Sequence, residues 1–372
     1  MKLLIITQKV DKNDSVLGFF HGWIREFAEK FEKITVICLE KGKEELPESV
    51  KVFSLGKEVA KKTTDRKLIK FKVIKRLRYI FNFYKYIWKE RKNYETVFVH
   101  MNEEYVLLGW WLWKLSGKRI FLWRNHPKGS LATRIVVFLS DNVFYTSPFS
   151  FTARFKKGIL MPVGIDEDKF KVESRKFRKP EDRQKSFFKI LYLGRIAPVK
   201  GIGTIIEAGK ILKEKGTDFK LDIIGEALEK DKKYYENLKL RVEDSKLAGE
   251  IRFLPEISNL EASEVYANYD VFINATKTGS MDKTIFEAIF AELPVITSNQ
   301  ALKNFFGEEY AHLLLFKEED SSDLALKIEK AREFLNSEGA GRMTKELRKK
   351  AEKEQSLKEL GRKLSEILKR EQ

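Results

Sequence analysis

The chain of 372 residues is short of the groups that most readily announce a site. It has one cysteine and four histidines, so no intramolecular disulfide can form and spacing alone assembles no zinc-type cluster. The lone thiol, Cys38 in ITVICLE, sits in a β-branched run, which suits a reducing cytoplasm. No apolar run approaches the roughly 18 to 20 residues that a membrane-spanning helix needs. The opening MKLLIITQKV is too short for a secretory signal and resumes as a charged loop without a small-residue cleavage site, so it reads as a first strand. Fixed-period repeats and low-complexity tracts are absent. Acidic charge is also scarce: 55 Asp+Glu stand against 72 Lys+Arg, a net charge of +17. That excess implies an anionic partner, whether nucleic acid, an anionic membrane surface or a phosphorylated substrate.

The positive charge is concentrated. From Lys57 to Lys92 there are 14 basic and 3 acidic residues, interleaved with aromatics in KFKVIKRLRYIFNFYKYIWKERK. Leu68, Phe71, Ile74, Leu77, Tyr79, Phe81, Tyr84 and Ile87 follow helical spacing, which predicts an apolar stripe flanked by lysine and arginine. Such a helix either lies in a lipid headgroup layer or packs on its own sheet with a solvated basic face. With no recognisable nucleic-acid module in the chain, nucleic acid is the weaker partner.

Length and pattern predict two domains. In the first half, KLLIIT, ITVICL, KVFSL, TVFVH, RIFLW and DNVFYTS read as strands. Helices are expected through Gly22 to Phe31, along the basic segment and near Leu107 to Leu115. In the second half KILYLG, FKLDIIG, IRFLP, VFINAT and PVITS are short apolar strands separated by helical patterns. This alternation predicts an α/β fold with mainly parallel sheets covered on both faces. The expected boundaries are a first domain over 1–165, a charged linker over 166–186 and a second domain over 187–342. A basic helical segment over 343–372, poor in apolar positions, is expected to lie across the surface.

Ligands of doubly wound sheets sit outside the carboxyl ends of the strands, so the residues that follow strands are the candidates. LYLGRIAPVKGIGTIIEA, Leu191 to Ala208, reads as a strand, a loop carrying Arg195 and Lys200, then a helix. Two full charges beside a helix amino end suit a diphosphate; the plainer alternative is an ordinary strand-to-helix loop with solvated basic residues. Gly194 and Gly225 follow their strands directly, Glu256 and Ile257 follow IRFLP, and Gly279, Ser280 and Asp282 precede a helix starting near Lys283 or Thr284. Glu287 falls one turn into that helix, where a carboxylate can accept hydrogen bonds from a vicinal diol or simply stabilise the helix.

Taken in order, GRIAPVKG, DIIGE, FLPEI and DKTIFEAIFAELPVIT resemble the nucleotide-binding half of retaining glycosyltransferases of the GT-B architecture, family 4 (glycosyl transferases group 1). PVGIDEDKF, Pro162 to Phe170, is similar to the segment that closes that family's first domain. The resemblance implies two Rossmann-like doubly wound domains facing a central cleft. It implies a metal-independent hexosyltransferase with no cofactor beyond its donor substrate, a nucleotide-sugar, and a glycan or lipid-linked acceptor. Arg195 and Lys200 would neutralise the departing diphosphate, Glu287 would hold the ribose, and Glu256 and Ile257 would flank the base. Lys283, Thr284 and Ile285 would offer the helix start to the phosphates, and His126 would stand near the donor sugar. Gly18 and His100 are weaker candidates toward the acceptor. Relatives usually place a glutamate eight positions before Glu287, where this chain has Gly279, and Asp282 is the candidate replacement. A nucleotide-sugar epimerase or hydrolase on the same fold, or a basic nucleic-acid-binding protein, are the alternatives. The single cysteine suits a cytoplasmic protein, and the basic, aromatic segment over 57–92 is a separate reason to expect peripheral contact with the anionic inner membrane face.

Overall fold

The apolar quartet Leu3, Leu4, Ile5 and Ile6 is fully buried. Successive strand side chains point to opposite faces, so a strand apolar at every position must be covered on both. The computed structural model describes all residues except 15, 59–68, 171–186, 259–260, 280, 338 and 371–372. It divides into two units, Met1–Gly164 with Leu357–Gln372, and Ile165–Ser356.

The first unit runs β1 (Lys2–Val10), α1 (Gly18–Ala28), β2 (Lys33–Lys41), β3 (Val50–Ser54), α2 (Ile69–Lys89), β4 (Thr96–His100), α3 (Glu104–Leu115), β5 (Arg119–Trp123), α4 (Leu131–Leu139), β6 (Asn142–Tyr145) and β7 (Gly158–Leu160). The strands form one sheet, ordered β3-β2-β1-β4-β5-β6-β7, parallel throughout. Leu3 and Ile5 face a cluster with Phe20, Trp23, Ile24 and Phe27 of α1, spaced i, i+3, i+4, i+7. Leu4 and Ile6 face the opposite cluster, with Phe83 and Ile87 of α2 and Trp113 of α3. The expected stripe on α2 is thus not a single face. Ile87 is buried, and Tyr79 and Tyr84 pack partly inward, whereas Ile74, Leu77 and Phe81 are exposed. Leu68 lies outside the described residues, as does the side chain of Phe71.

The second unit runs β8 (Phe188–Leu193), α5 (Ile202–Glu214), β9 (Phe219–Ile224), α6 (Lys232–Asp244), β10 (Ile251–Leu254), α7 (Ala262–Tyr266), β11 (Val271–Asn274), α8 (Lys283–Phe290), β12 (Val295–Thr297), α9 (Lys303–Leu314), α10 (Ser321–Phe334) and α11 (Gly339–Gln355). Its five-stranded parallel sheet is ordered β10-β9-β8-β11-β12. Strand order reverses between β8 and β11, and in such sheets the crevice opens at that switch point.

The C-terminal expectation needs correction. Met343, Leu347 and Ala351 of α11 are buried, and α11 packs on α8. The chain then returns to the first unit as α12 (Leu357–Arg370), which packs on α1. Leu357, Leu360, Leu364 and Leu368 of α12 join the core around Phe20 and Trp23. Four leucines at spacings of three and four make a narrow apolar stripe, easily overlooked in a basic segment yet sufficient to cover one sheet face. Of the expected linker, Glu167–Phe170 is a 3-10 turn whose Phe170 packs against Tyr266 and Phe290. Residues 171–186 lie outside the described residues. Among the described residues no helix is long and apolar enough to cross a membrane.

Cys38 belongs to the same buried cluster as Leu364, and burial pushes its thiol up to about 12. Leu364→Ala should destabilise the first unit by about 2–5 kcal/mol. Thiol labelling of Cys38 across a urea series should then begin at lower urea in the variant, and an unchanged labelling midpoint would contradict the placement of α12.

Candidate functional site

Two glycines shape the floor at the ends of β8 and β9. Gly194 and Gly225 have φ of 152° and 151°, and a Cβ on Gly225 would fall 2.0 Å from the Gly194 carbonyl oxygen. Only glycine lets the two chains pass so closely. The Gly194 N–H donates to Ile224 O (3.0 Å) and the Ile196 N–H to Glu226 O (2.9 Å), so the two strands stay paired into their loops. The buried Tyr192 hydroxyl donates to the Arg195 carbonyl at 3.0 Å. That contact fixes the Arg195 backbone while its side chain stays exposed.

Lys200 ends the short 3-10 turn Pro198–Lys200. Gly201 follows at φ 64°, its Cβ position only 2.4 Å from Ala275 O, which brings the loop after β8 against the end of β11. There Asp282 gathers three donors on one oxygen: Lys200 Nζ at 2.6 Å, Asn274 Nδ2 at 3.0 Å and Thr276 Oγ1 at 2.8 Å. Burial alone would push the Asp282 carboxyl up, but the Lys200 ammonium and the three hydrogen bonds outweigh it and hold the group below its ordinary value. Asp282 is also the N-cap position of α8, although its side chain makes no capping bond. The loop around it is anchored to the end of β12, with Ser298 Oγ donating to Thr276 O (3.0 Å) and the Gln300 N–H to Thr278 Oγ1 (3.0 Å). Gly279 precedes this cluster at φ 145°. Ser280 lies outside the described residues.

Thr284 and Ile285 occupy the first turn of α8, where the Ile285 N–H donates to Asp282 O at 3.2 Å. Glu287 lies on the side of α8 that meets α7: Tyr266 Oη donates to its Oε2 at 3.0 Å and approaches Thr284 O at 3.4 Å. Burial pushes the Glu287 carboxyl up, opposed by the Tyr266 hydrogen bond and by Lys283 and Lys169. Burial likewise pulls the Lys283 ammonium down to about 7, against the attraction of Glu287 and with added repulsion from Lys169. One short helix therefore carries two polar clusters, one held by β11 and Lys200 and one by Tyr266. Glu256 is exposed and Ile257 half-buried in the loop after β10. Just beyond, Glu261 accepts from the Ser258 N–H (2.8 Å) and hydroxyl (2.7 Å).

The candidates of the first unit fare differently. His126 is exposed, and its Nδ1 is engaged by the Lys128 main chain, 3.0 Å from N and 2.9 Å from O. Arg124 braces the same loop through Glu103 (2.6 Å) and Lys128 O (2.9 Å). His100 is not open to an acceptor: it is buried, stacked on Phe20 at 4.1 Å, with Nδ1 3.3 Å from Thr7 Oγ1. Gly18 is buried as the first residue of α1, and the loop before it is organised by Asp14, whose carboxylate accepts from the Val16 and Leu17 N–H groups. Asn274, Thr276 and Tyr266 were missed as site residues by sequence reasoning. The signal for the first two was available, since polar residues closing the apolar strand VFINAT must be satisfied where they are buried. Tyr266 had none, because its partner is 21 residues away on another helix.

Residues 173–354 match the family model described as Glycosyl transferases group 1. The matched residues lie within the second unit. It is 29% identical over 144 residues to the capsular polysaccharide biosynthesis glycosyltransferase CapM of Staphylococcus aureus, covering 37% of this chain and 34% of that protein. It is also 29% identical over 133 residues to the alpha-monoglucosyldiacylglycerol synthase of Acholeplasma laidlawii, covering 36% and 32%. The matched stretches span about a third of the length of these curated relatives. Among solved structures, Anabaena Alr3699/HepE in complex with UDP superposes with a TM-score of 0.75 at 16% identity, over 99% of both chains. Sucrose-phosphate synthase from Thermosynechococcus elongatus gives 0.75 at 14% identity over 100% and 99%. These likenesses establish the fold, an α/β chain with parallel sheets that matches GT-B glycosyltransferase structures along its whole length.

Asp282→Asn should destabilise the second unit by about 2 kcal/mol near neutral pH, where the ionised side chain holds Lys200. A carboxyl with a lowered folded-state value stabilises above its unfolded value of 3.8, and the benefit is lost as pH falls through the lower folded value. The unfolding curves of wild type and variant should therefore converge in acid. A gap that stays as wide in acid as at neutral pH would contradict this assignment.

Proposed function

We propose that this chain is a glycosyltransferase that moves a sugar from a nucleoside diphosphate donor to a glycan or lipid-linked acceptor, with retention of anomeric configuration and without a bound metal. The observation that carries the reading is the cluster at the switch point of the second sheet. There Lys200 is held at 2.6 Å by Asp282, one loop residue from the amino end of α8, and Arg195 is exposed in the same loop as Lys200. The family match over residues 173–354 supports it.

Cleaving the bond between the anomeric carbon and the phosphate oxygen builds positive charge on the sugar and negative charge on the diphosphate, so catalysis is mostly positioning and electrostatic stabilisation. An ammonium has three donors, so Lys200 can keep its bond to Asp282 and still bind a phosphate oxygen. Arg195 adds a second cation, and the start of α8, from Lys283 to Ile285, adds the partial charge of its N–H groups. Gly194 and Gly225 leave room for close approach of the backbone. Glu287, oriented by Tyr266, is assigned to the ribose hydroxyls, Glu256 and Ile257 to the surroundings of the base, and His126 to the donor sugar. Asp282, with one oxygen committed to three donors, serves to position Lys200 rather than to replace a sugar-binding glutamate at Gly279. No side chain is assigned as nucleophile, so acceptor attack from the leaving-group side accounts for retention. Uridine is the first base to test, because Anabaena HepE was solved with UDP and with UDP-glucose.

A panel of nucleoside diphosphates and their sugar conjugates should contain at least one member that raises the melting temperature of the purified chain. With that donor and an acceptor, Arg195→Ala should lower transfer by on the order of 10²-fold or more, without loss of thermal stability, since its side chain is exposed. Turnover of the variant close to wild type would refute the assignment. Consumption of the donor without acceptor, or its isomerisation, would instead indicate a hydrolase or epimerase.

A further inference from the structure

Twenty large apolar side chains stand exposed among the described residues, and eleven of them lie on α2, α3 and α4. These three helices cover one face of the first sheet, packing inward on the cluster that holds Leu4 and Ile6. The helices on the opposite face, α1 and α12, contribute none of the exposed set. The three are neighbours. Tyr84 of α2 donates its hydroxyl to Leu108 O at 2.8 Å and packs against the Trp111 ring at 6.3 Å, and Thr133 of α4 bonds to Glu103, just before α3, at 3.1 Å.

Charge is distributed on this layer in a particular way. The exposed apolar residues of α2, Ile74, Leu77, Phe81 and Trp88, recur at spacings of three, four and seven, which places them on one side of the helix. Arg78 and Lys85 fall on that same side and are exposed. From Ile69 to Lys89 the helix has no acidic residue. At the end of the layer, beside α4, an apolar-walled cavity of about 230 Å³ is lined by Val137, Phe138 and Phe155 and rimmed by Arg134, Lys156 and Lys157. Apolar tips and cations thus share one solvent face over three helices, the arrangement that meets acyl chains and phosphates together at a lipid headgroup boundary.

We infer that the outer faces of α2, α3 and α4 form a single docking surface for an anionic phospholipid bilayer, with the cavity beside α4 taking up a lipid phosphate and the start of its acyl chains. This goes beyond a lone basic helix and does not depend on which reaction the second unit performs. A second copy of the chain is the poorer occupant, because it would bring the same cations into contact with themselves on a protein of net charge +17. Nucleic acid is poorer too, since its phosphates would meet the cations but leave aliphatic tips such as Leu115 and Leu131 in water.

Co-sedimentation of the full chain with vesicles tests the inference. Binding should be strong to phosphatidylcholine mixed with phosphatidylglycerol, weak to phosphatidylcholine alone, and should fall as salt is raised. Arg78→Glu with Lys85→Glu should weaken it by about tenfold or more, as interfacial cations contribute on the order of fivefold each. Leu115→Ser with Phe138→Ser, which touches α3 and α4 only, should weaken it comparably. Both pairs are exposed, so melting temperatures should not move. Equal binding to neutral vesicles, binding to neither, or full binding by the Leu115/Phe138 variant would overturn the inference. So would a dimer in gel filtration that these substitutions dissociate, which would identify the face as a contact between copies.

Discussion

One carboxylate oxygen ties the second unit together at the place where its strand order reverses. The strands β8 and β11 are paired over only two residues, Ile190 and Leu191 against Val271 and Phe272, and beyond that pairing their chains lead to different helices. Asp282 bridges the divergence by accepting from Lys200 on one loop and from Asn274 and Thr276 on the other. A mostly buried carboxylate is costly unless fully hydrogen-bonded and paired. Its retention here fixes the position of a lysine that would otherwise have four rotatable bonds to explore. The close passes at Gly201 and Gly225 act to the same end through the backbone, since each removes the room in which the loops could slide.

The two units solve the problem of covering a parallel sheet with similar parts and different surfaces. In the first unit the side of the sheet facing α1 is closed by a helix returning from the far end of the chain, and its exposed residues are polar. The side facing α2, α3 and α4 is apolar inward and partly apolar outward. Helices that are apolar on both faces have a second environment to satisfy besides their own core.

Much of this was legible in the sequence for a simple reason. Short apolar runs that end in glycine or a polar residue, alternating with helical patterns, admit few arrangements other than parallel sheets. GRIAPVK and the segment before Glu287 follow strands directly, so their placement at the switch point follows from topology. Reading failed where the deciding contact is distant in sequence. His100 ends a strand as a ligand residue would, yet Phe20, some eighty positions earlier, stacks on it and closes it off. The basic C-terminal segment has few apolar residues, and its four leucines matter only because α1 offers them a groove lined by Phe20, Trp23 and Phe27.

The fold class, the division into two alternating halves and the loops that carry Arg195, Lys200 and Glu287 can be read from the residues alone, because these depend on periodicity and local turn chemistry. Which unit owns α12, that Asp282 holds Lys200, that Tyr266 bonds Glu287 and which side of α2 meets solvent are settled by packing in three dimensions. Those outcomes depend on side chains brought together from different elements, and no local pattern encodes which of several apolar or polar faces will find a partner.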